Sequence, residues 1–236
     1  INDQPRFDLE VSHCAESPAL RRVNAPIEIS ESYYEVMASS RMTDCVNDLI
    51  GPNLKFHHSK VNSKLPGGNT EVKWHQDFTF TPHTNDDVIT ALLMVDDVTL
   101  ENGPLEVAPG SHRGPLHSLW HNGVFTGAVD DQVAADARAS SSICMGAAGS
   151  VCLMHTRLMH GSKANWSMRP RTLFICVYSS ADAVPCSPNP MPNKFEGLIV
   201  RGEATNKIRT TPFEMELPQL PSTASFFDQQ AKHRKV

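Results

Sequence analysis

The stretch VCLMHTRLMHGSKANWSMRPRTLFICVYSS (151–180) holds two apolar runs separated by a polar loop, and both runs are rich in the β-branched and aromatic residues that suit a half-buried sheet. The first run ends in His160-Gly161-Ser162 and the second opens at Arg171. Working outward, GAAGS (146–150) turns the chain into the first run. DVITALLMVDDV (87–98) is a continuous apolar segment of buried-strand length. LKFHHSKVN (54–62) is a further strand candidate, and KLPGGN (64–69) reads as the turn after it. These segments predict a mainly β fold with helices at its periphery. One helix is expected over 32–50, where Ser32 and Glu35 form a capping-box pattern, Met42, Cys45, Val46, Leu49 and Ile50 recur at helical spacing, and Gly51-Pro52 stop it. A short helix is expected at 130–139.

At 236 residues the chain suits one all-β domain, with its core at about 50–180. Seven of the 17 prolines fall between Pro185 and Pro221, so 183–236 reads as irregular wrapping. Ile1 is followed by polar, irregular sequence, which points to an incomplete N-terminal part. With 21 Lys and Arg against 26 Asp and Glu the net charge is −5, leaving no basic field for nucleic acid. The apolar run VITALLMV is far shorter than the ~20 residues a membrane span needs. A small-molecule substrate is the expected partner, and nothing in the sequence bears on oligomeric state. The six cysteines form no CxxC pair and are expected to be reduced, mostly buried thiols, which favours a cytoplasmic location.

The chemistry concentrates in VKWHQDFTF (72–80). Side chains two apart on a strand share a face, so His75 and Asp77 would enter one cavity while Gln76 points away. A His-x-acid pair arises by chance about once in a chain of this composition. His160, on another strand, supplies a third ligand type. Two histidines and a carboxylate form the facial triad of non-haem Fe(II) oxygenases, which leaves open positions for a bidentate co-substrate and dioxygen. Zinc accepts the same ligands with tetrahedral closure, so the ligand types alone leave the metal open. Arg171 begins a core strand, and an inward arginine calls for a carboxylate such as the distal one of 2-oxoglutarate.

Taken in order, WHQD, DDVTLENGPLEVAPGSHRG, HGS and an arginine 11 residues past the second histidine make the chain resemble the phytanoyl-CoA dioxygenase family, which includes ectoine hydroxylases. The resemblance implies a double-stranded β-helix, or jelly roll, acting as an Fe(II)- and 2-oxoglutarate-dependent dioxygenase. It implies that His75, Asp77 and His160 ligate iron, that Arg171 clamps the distal carboxylate of 2-oxoglutarate with Ser162 beside it, and that Asn62 and Thr90 lie near the co-substrate. Dioxygen would be consumed, succinate and CO2 released, and a small organic substrate hydroxylated. Because Asp77 is present, hydroxylation is expected over halogenation, whose practitioners lack that carboxylate. A cupin-like zinc metallohydrolase and a non-catalytic metal-holding module are the alternatives.

The other polar residues carry plainer expectations. Either His57 or His58 faces inward, His155 and Arg157 point away from the site, and His112, His117 and His121 are solvated. The glycines of NGPLEVAPGSHRG lack phosphate-loop spacing.

Overall fold

The computed structural model describes residues 6–10, 12–68, 70–221 and 225–232. In chain order the elements are β1 (Phe7–Leu9), β2 (Leu20–Asn24), α1 (Glu31–Ser39), α2 (Arg41–Ile50), β3 (Leu54–Lys64), β4 (Val72–His75), β5 (Val88–Met94) and β6 (Leu105–Val107). There follow β7 (Trp120–His121), β8 (Val124–Phe125), α3 (Asp131–Ala139), β9 (Ser142–Cys144), β10 (Val151–His155), β11 (His160–Ser162), β12 (Arg171–Ser180), β13 (Ile199–Arg201) and α4 (Phe227–Lys232). A large sheet runs β1-β2-β3-β12-β5-β10 with β13 on the far end of β3, and a smaller sheet runs β4-β11-β6-β9. All their pairings are antiparallel. The site lies between the two sheets.

Alternation along β12 separates its two faces. Phe174, Cys176 and Tyr178 pack outward on Met37, Met42 and Val46 of α1 and α2. Arg171, Leu173, Ile175 and Val177 line the interior cavity. β5 follows the same rule, with Ile89 and Ala91 against the helices and Thr90 and Leu92 inward. Tyr178 Oη donates to the carbonyl of Met37 at 2.8 Å and so fixes the end of α1 on the sheet.

β3 departs from strict alternation. Leu54 and Phe56 face the helices, yet Val61 does too, while His58, Lys60, Asn62 and Lys64 line the cavity. The register against β12 slips here: Tyr178 pairs with Phe56 and Val177 with His58, so His57 is the extra residue of a β-bulge. The bulge exchanges the two faces. Of the two histidines His58 faces the cavity, as expected, while His57 is buried outside it; their Nδ1 atoms lie 2.6 Å apart.

Further corrections concern local elements. Residues 32–50 form two helices that meet at Ser40, whose extended backbone breaks the run; the N-cap of α1 is Ser30, without a side-chain cap bond, so the Ser32-Glu35 pattern is not a capping box. VCLMHTRLMHGS is two strands, β10 in the large sheet and β11 in the small one. Cys14, Cys45 and Cys186 are exposed and only Cys176 is buried, so the thiols are free but mostly not buried. His112, His117 and His121 are half-buried, and His121 Nε2 lies 2.9 Å from the carbonyl of Ala128. Arg157 does not line the cavity, as expected, and is held in place by Asp86 at 2.9 Å and by the carbonyl of Gly114 at 2.7 Å. Among the described residues no helix is long and apolar enough to cross a membrane.

Candidate metal centre

β4 and β11 are antiparallel neighbours in the small sheet, and their register sets His75 directly opposite His160. The rings stand 4.2 Å apart, centroid to centroid. Asp77 lies just past the end of β4, as the first residue of a 3-10 turn over Asp77–Thr79, and not on a continuing strand. The turn bends its carboxylate back, placing Oδ1 3.4 Å from His75 Nε2 and 3.6 Å from His160 Nε2. Gln76 does point away from this centre, but it is fully buried and secures the turn. It donates to the carbonyls of Arg157 (2.7 Å) and Pro115 (3.1 Å) and accepts from the backbone N–H of His117 (2.9 Å).

The hydrogen bonds fix the ligating state of each group. His75 Nδ1 lies 2.7 Å from the carbonyl of Lys73 and His160 Nδ1 lies 2.9 Å from that of Leu158. A carbonyl can only accept, so both Nδ1 atoms carry the proton and both Nε2 lone pairs face the centre. Burial, reinforced by the neighbouring His75, pushes His160 down to about 4, so it is neutral at physiological pH. Burial alone would raise Asp77, but the positive charge that His160 and His75 gain on protonation, together with Lys60, more than offsets it, so the carboxyl is held well below its usual range. Thr90 Oγ1 donates to Asp77 Oδ2 at 2.8 Å, leaving Oδ1 for the centre. Two imidazoles and one carboxylate, with ligand atoms all within 4.8 Å of one another, are the donor set a divalent transition metal takes.

A cavity of about 110 Å³ opens from this centre, lined by all seven residues singled out in the sequence: His75, Asp77, His160, Arg171, Ser162, Asn62 and Thr90. Arg171 is buried. Its Nη2 donates to the carbonyl of Gly103 at 2.9 Å, while its Nε has no partner. Burial pushes this guanidinium down to about 10. Gly103 has φ +76, and a Cβ there would meet the carbonyl oxygen of Lys163 at 2.6 Å, so glycine is required where ENGPLEV presents that carbonyl. Ser162 Oγ accepts from Lys64 Nζ at 2.7 Å. Lys64 is paired with Arg171 across β3 and β12, and burial together with Arg171 holds its amine well below the usual lysine range. Asn62 Oδ1 accepts from Arg22 Nε at 2.8 Å.

Sequence reasoning missed Lys64, Lys60 and Arg22 as pocket residues. The signal for the lysines was the alternating polar row in HHSKVNSK, visible only once the bulge sets its face. Phe80 lines the cavity and meets His75 edge-on at 5.3 Å. His155 stacks near His112, away from the centre.

The phytanoyl-CoA dioxygenase family model matches residues 8–173. The chain belongs to this family. It is 32% identical over 221 residues to a "Probable alpha-ketoglutarate-dependent hypophosphite dioxygenase" of Stutzerimonas stutzeri, covering 92% of this chain and 76% of that protein. It is 27% identical over 192 residues to L-proline trans-4-hydroxylase of Streptomyces griseoviridis, covering 73% and 72%. The fold matches that of EctD from S. alaskensis with bound Fe, at a TM-score of 0.63 and 24% identity over 90% of this chain and 72% of that one. The jelly-roll expectation therefore holds, and the chain is an iron- and 2-oxoglutarate-dependent dioxygenase, as its family membership entails.

Proposed function

We propose that His75, Asp77 and His160 hold Fe(II), that Arg171 takes the distal carboxylate of 2-oxoglutarate with Lys64 and Ser162 beside it, and that the rest of the cavity seats a small molecule to be hydroxylated. The observation that carries this reading is the coexistence in one cavity of three converging ligand atoms and a buried arginine with a spare N–H. A zinc hydrolase or a passive metal holder has no use for such a clamp. The relatives are named for hypophosphite, L-proline and ectoine, all small and charged molecules.

Iron bound with 2-oxoglutarate supplies the oxidising chemistry, in which dioxygen is consumed and succinate and CO2 leave. The chain's own contribution is placement and charge. The carbonyls of Lys73 and Leu158 keep both imidazole lone pairs aimed at the centre where the metal would sit, and Thr90 holds Asp77 Oδ2 so that Oδ1 would be free for it. Leu173, Ile175 and Val177 give the cavity a dry wall that strengthens the electrostatic grip of Arg171. Asp77 occupies the position that a halide would need, which favours hydroxylation.

The test is succinate formation from 2-oxoglutarate by the Fe(II)-loaded protein, with Asp77→Ala and Arg171→Gln as comparisons. Asp77→Ala should abolish it, and Arg171→Gln should raise the KM for 2-oxoglutarate by roughly ten-fold or more, the loss of one charge-assisted pair. Full activity in Asp77→Ala would overturn the ligand assignment.

A further inference from the structure

The charge of the cavity carries the reading further, to the class of substrate; the step rests on the iron and 2-oxoglutarate site proposed above. Five cationic side chains line the cavity, Arg21, Arg22, Lys60, Lys64 and Arg171, against a single carboxylate, Asp77. Arg21 is matched by Asp8, through bonds of 2.8 and 3.1 Å. Asp77 is committed to the metal. With its keto-acid end on the metal, 2-oxoglutarate brings one further carboxylate to the four cations that remain, and Arg171 takes it. Arg22, Lys60 and Lys64 are then left, and among the described residues that line the cavity no carboxylate other than Asp77 faces them; enclosed charge with so little counter-charge is costly.

Arg22 is the member of this set held most rigidly for an incoming group. It reaches in from β2, at the side of the cavity away from the Arg171 strand, and is 7% exposed. Its Nε is tied to Asn62 Oδ1, and its guanidinium carbon sits 4.7 Å from the centroid of the Phe227 ring, so the plane is fixed from two sides. The structure gives its Nη groups no partner among the described residues. Lys60 lies close by on β3, likewise without a hydrogen-bond partner there; burial, then the charge of Arg22, brings Lys60 to about 8, and burial brings Arg22 to about 10. A planar, pre-set guanidinium with free N–H groups is the geometry that recognises a two-oxygen anion.

We propose that the primary substrate is a compact anion, a carboxylate or an oxoanion presenting two oxygens, and that Arg22 is the specificity-determining residue that reads its charge. The test is an anaerobic titration of the Fe(II)-loaded protein, first with 2-oxoglutarate, read by the visible charge-transfer absorption of the iron-bound co-substrate, and then with hypophosphite, propionate, L-proline or the neutral propionamide. The expected result is a shift of that absorption by at least one anion and none by propionamide; a hypophosphite-only response marks an oxoanion and a propionate or proline response marks a carboxylate. Arg22→Gln should raise the half-saturating anion concentration roughly ten- to hundred-fold, well beyond any change for 2-oxoglutarate, and Arg22→Lys should recover part of the loss. If no absorption develops with 2-oxoglutarate, the underlying site falls and this inference falls with it. If the absorption develops but no anion shifts it, if propionamide acts as well as propionate, or if Arg22→Gln weakens 2-oxoglutarate and the anion equally, the inference alone is overturned.

Discussion

At the scale of single residues, the ligand atoms are the smaller part of the design and their hydrogen-bond partners the larger. Thr90 was expected near the co-substrate; its hydroxyl proton goes to Asp77 Oδ2, so it restrains the carboxylate proposed to hold the metal. Thr90→Val keeps the shape and removes that bond, so iron affinity should fall about 10- to 100-fold, measured by competition with a chromophoric chelator. Unchanged affinity would show that Asp77 needs no such restraint. That these seven residues line one cavity was legible in the sequence because a His-x-Asp pair, a distant histidine and an arginine at a fixed offset keep their order whatever the loops between them do. Lys64, Lys60 and Arg22 were not, because a lysine or arginine in a strand reads as a solvent-facing residue until the strand's inward face is known.

At the scale of elements, the bulge at His57 decides which face of β3 lines the cavity. Strict alternation would put Phe56 and His58 on the same face, whereas the extra residue sends Phe56 to the helices and His58, Lys60, Asn62 and Lys64 to the cavity. Nothing in LKFHHSKVN announces a bulge, because bulges answer to the partner strand and to the segment that covers them. Here Asn189 and Asn193 both donate to the carbonyl of His57, at 3.3 and 3.0 Å. The helical region failed differently: its periodicity was legible, but the break at Ser40 follows from packing, where Thr43 Oγ1 returns to the carbonyl of Met37 at 2.9 Å. The turn before β6 offers a direct test. Gly103→Ala adds a Cβ at positive φ that meets a backbone oxygen, which should cost about 1–3 kcal/mol of stability and displace the carbonyl that holds Arg171. A denaturant melt and the KM for 2-oxoglutarate should both report it; an unchanged KM would mean that Arg171 is positioned without Gly103.

At the scale of the whole molecule, the buried histidines make stability depend on pH. Burial, then the charges of His83 and Lys55, bring His57 to about 3; burial and His57 hold His58 well below its usual value; burial brings His83 to about 4, though its bond to the Thr81 carbonyl opposes this. The unfolded chain takes up these protons near 6.5 while the folded one refuses them. Stability is therefore full above about 6.5 and is lost as pH falls from there toward about 4, with a limiting slope of about 4 kcal/mol per pH unit for three such groups. Denaturant melts at pH 7.5, 5.5 and 4.5 should show that decline, and a flat profile would mean that the cluster is protonated in the folded state. The same melts bear on domain organisation. The segment after residue 184 supplies Asn189 and Asn193 to the bulge and Phe227 and Gln230 to the cavity wall, so one cooperative transition is expected, with the metal site and the tail lost together.

The central claim is that one cavity holds iron on His75, Asp77 and His160 and grips 2-oxoglutarate through Arg171. A crystal structure of the protein loaded anaerobically with Fe(II) and 2-oxoglutarate, with an anomalous map at the iron edge, tests it most directly. The predicted result is a single strong peak bonded to His75 Nε2, His160 Nε2 and one oxygen of Asp77, with the distal carboxylate of 2-oxoglutarate on the guanidinium of Arg171. Iron bound elsewhere, or a co-substrate whose distal carboxylate leaves Arg171 untouched, would contradict it.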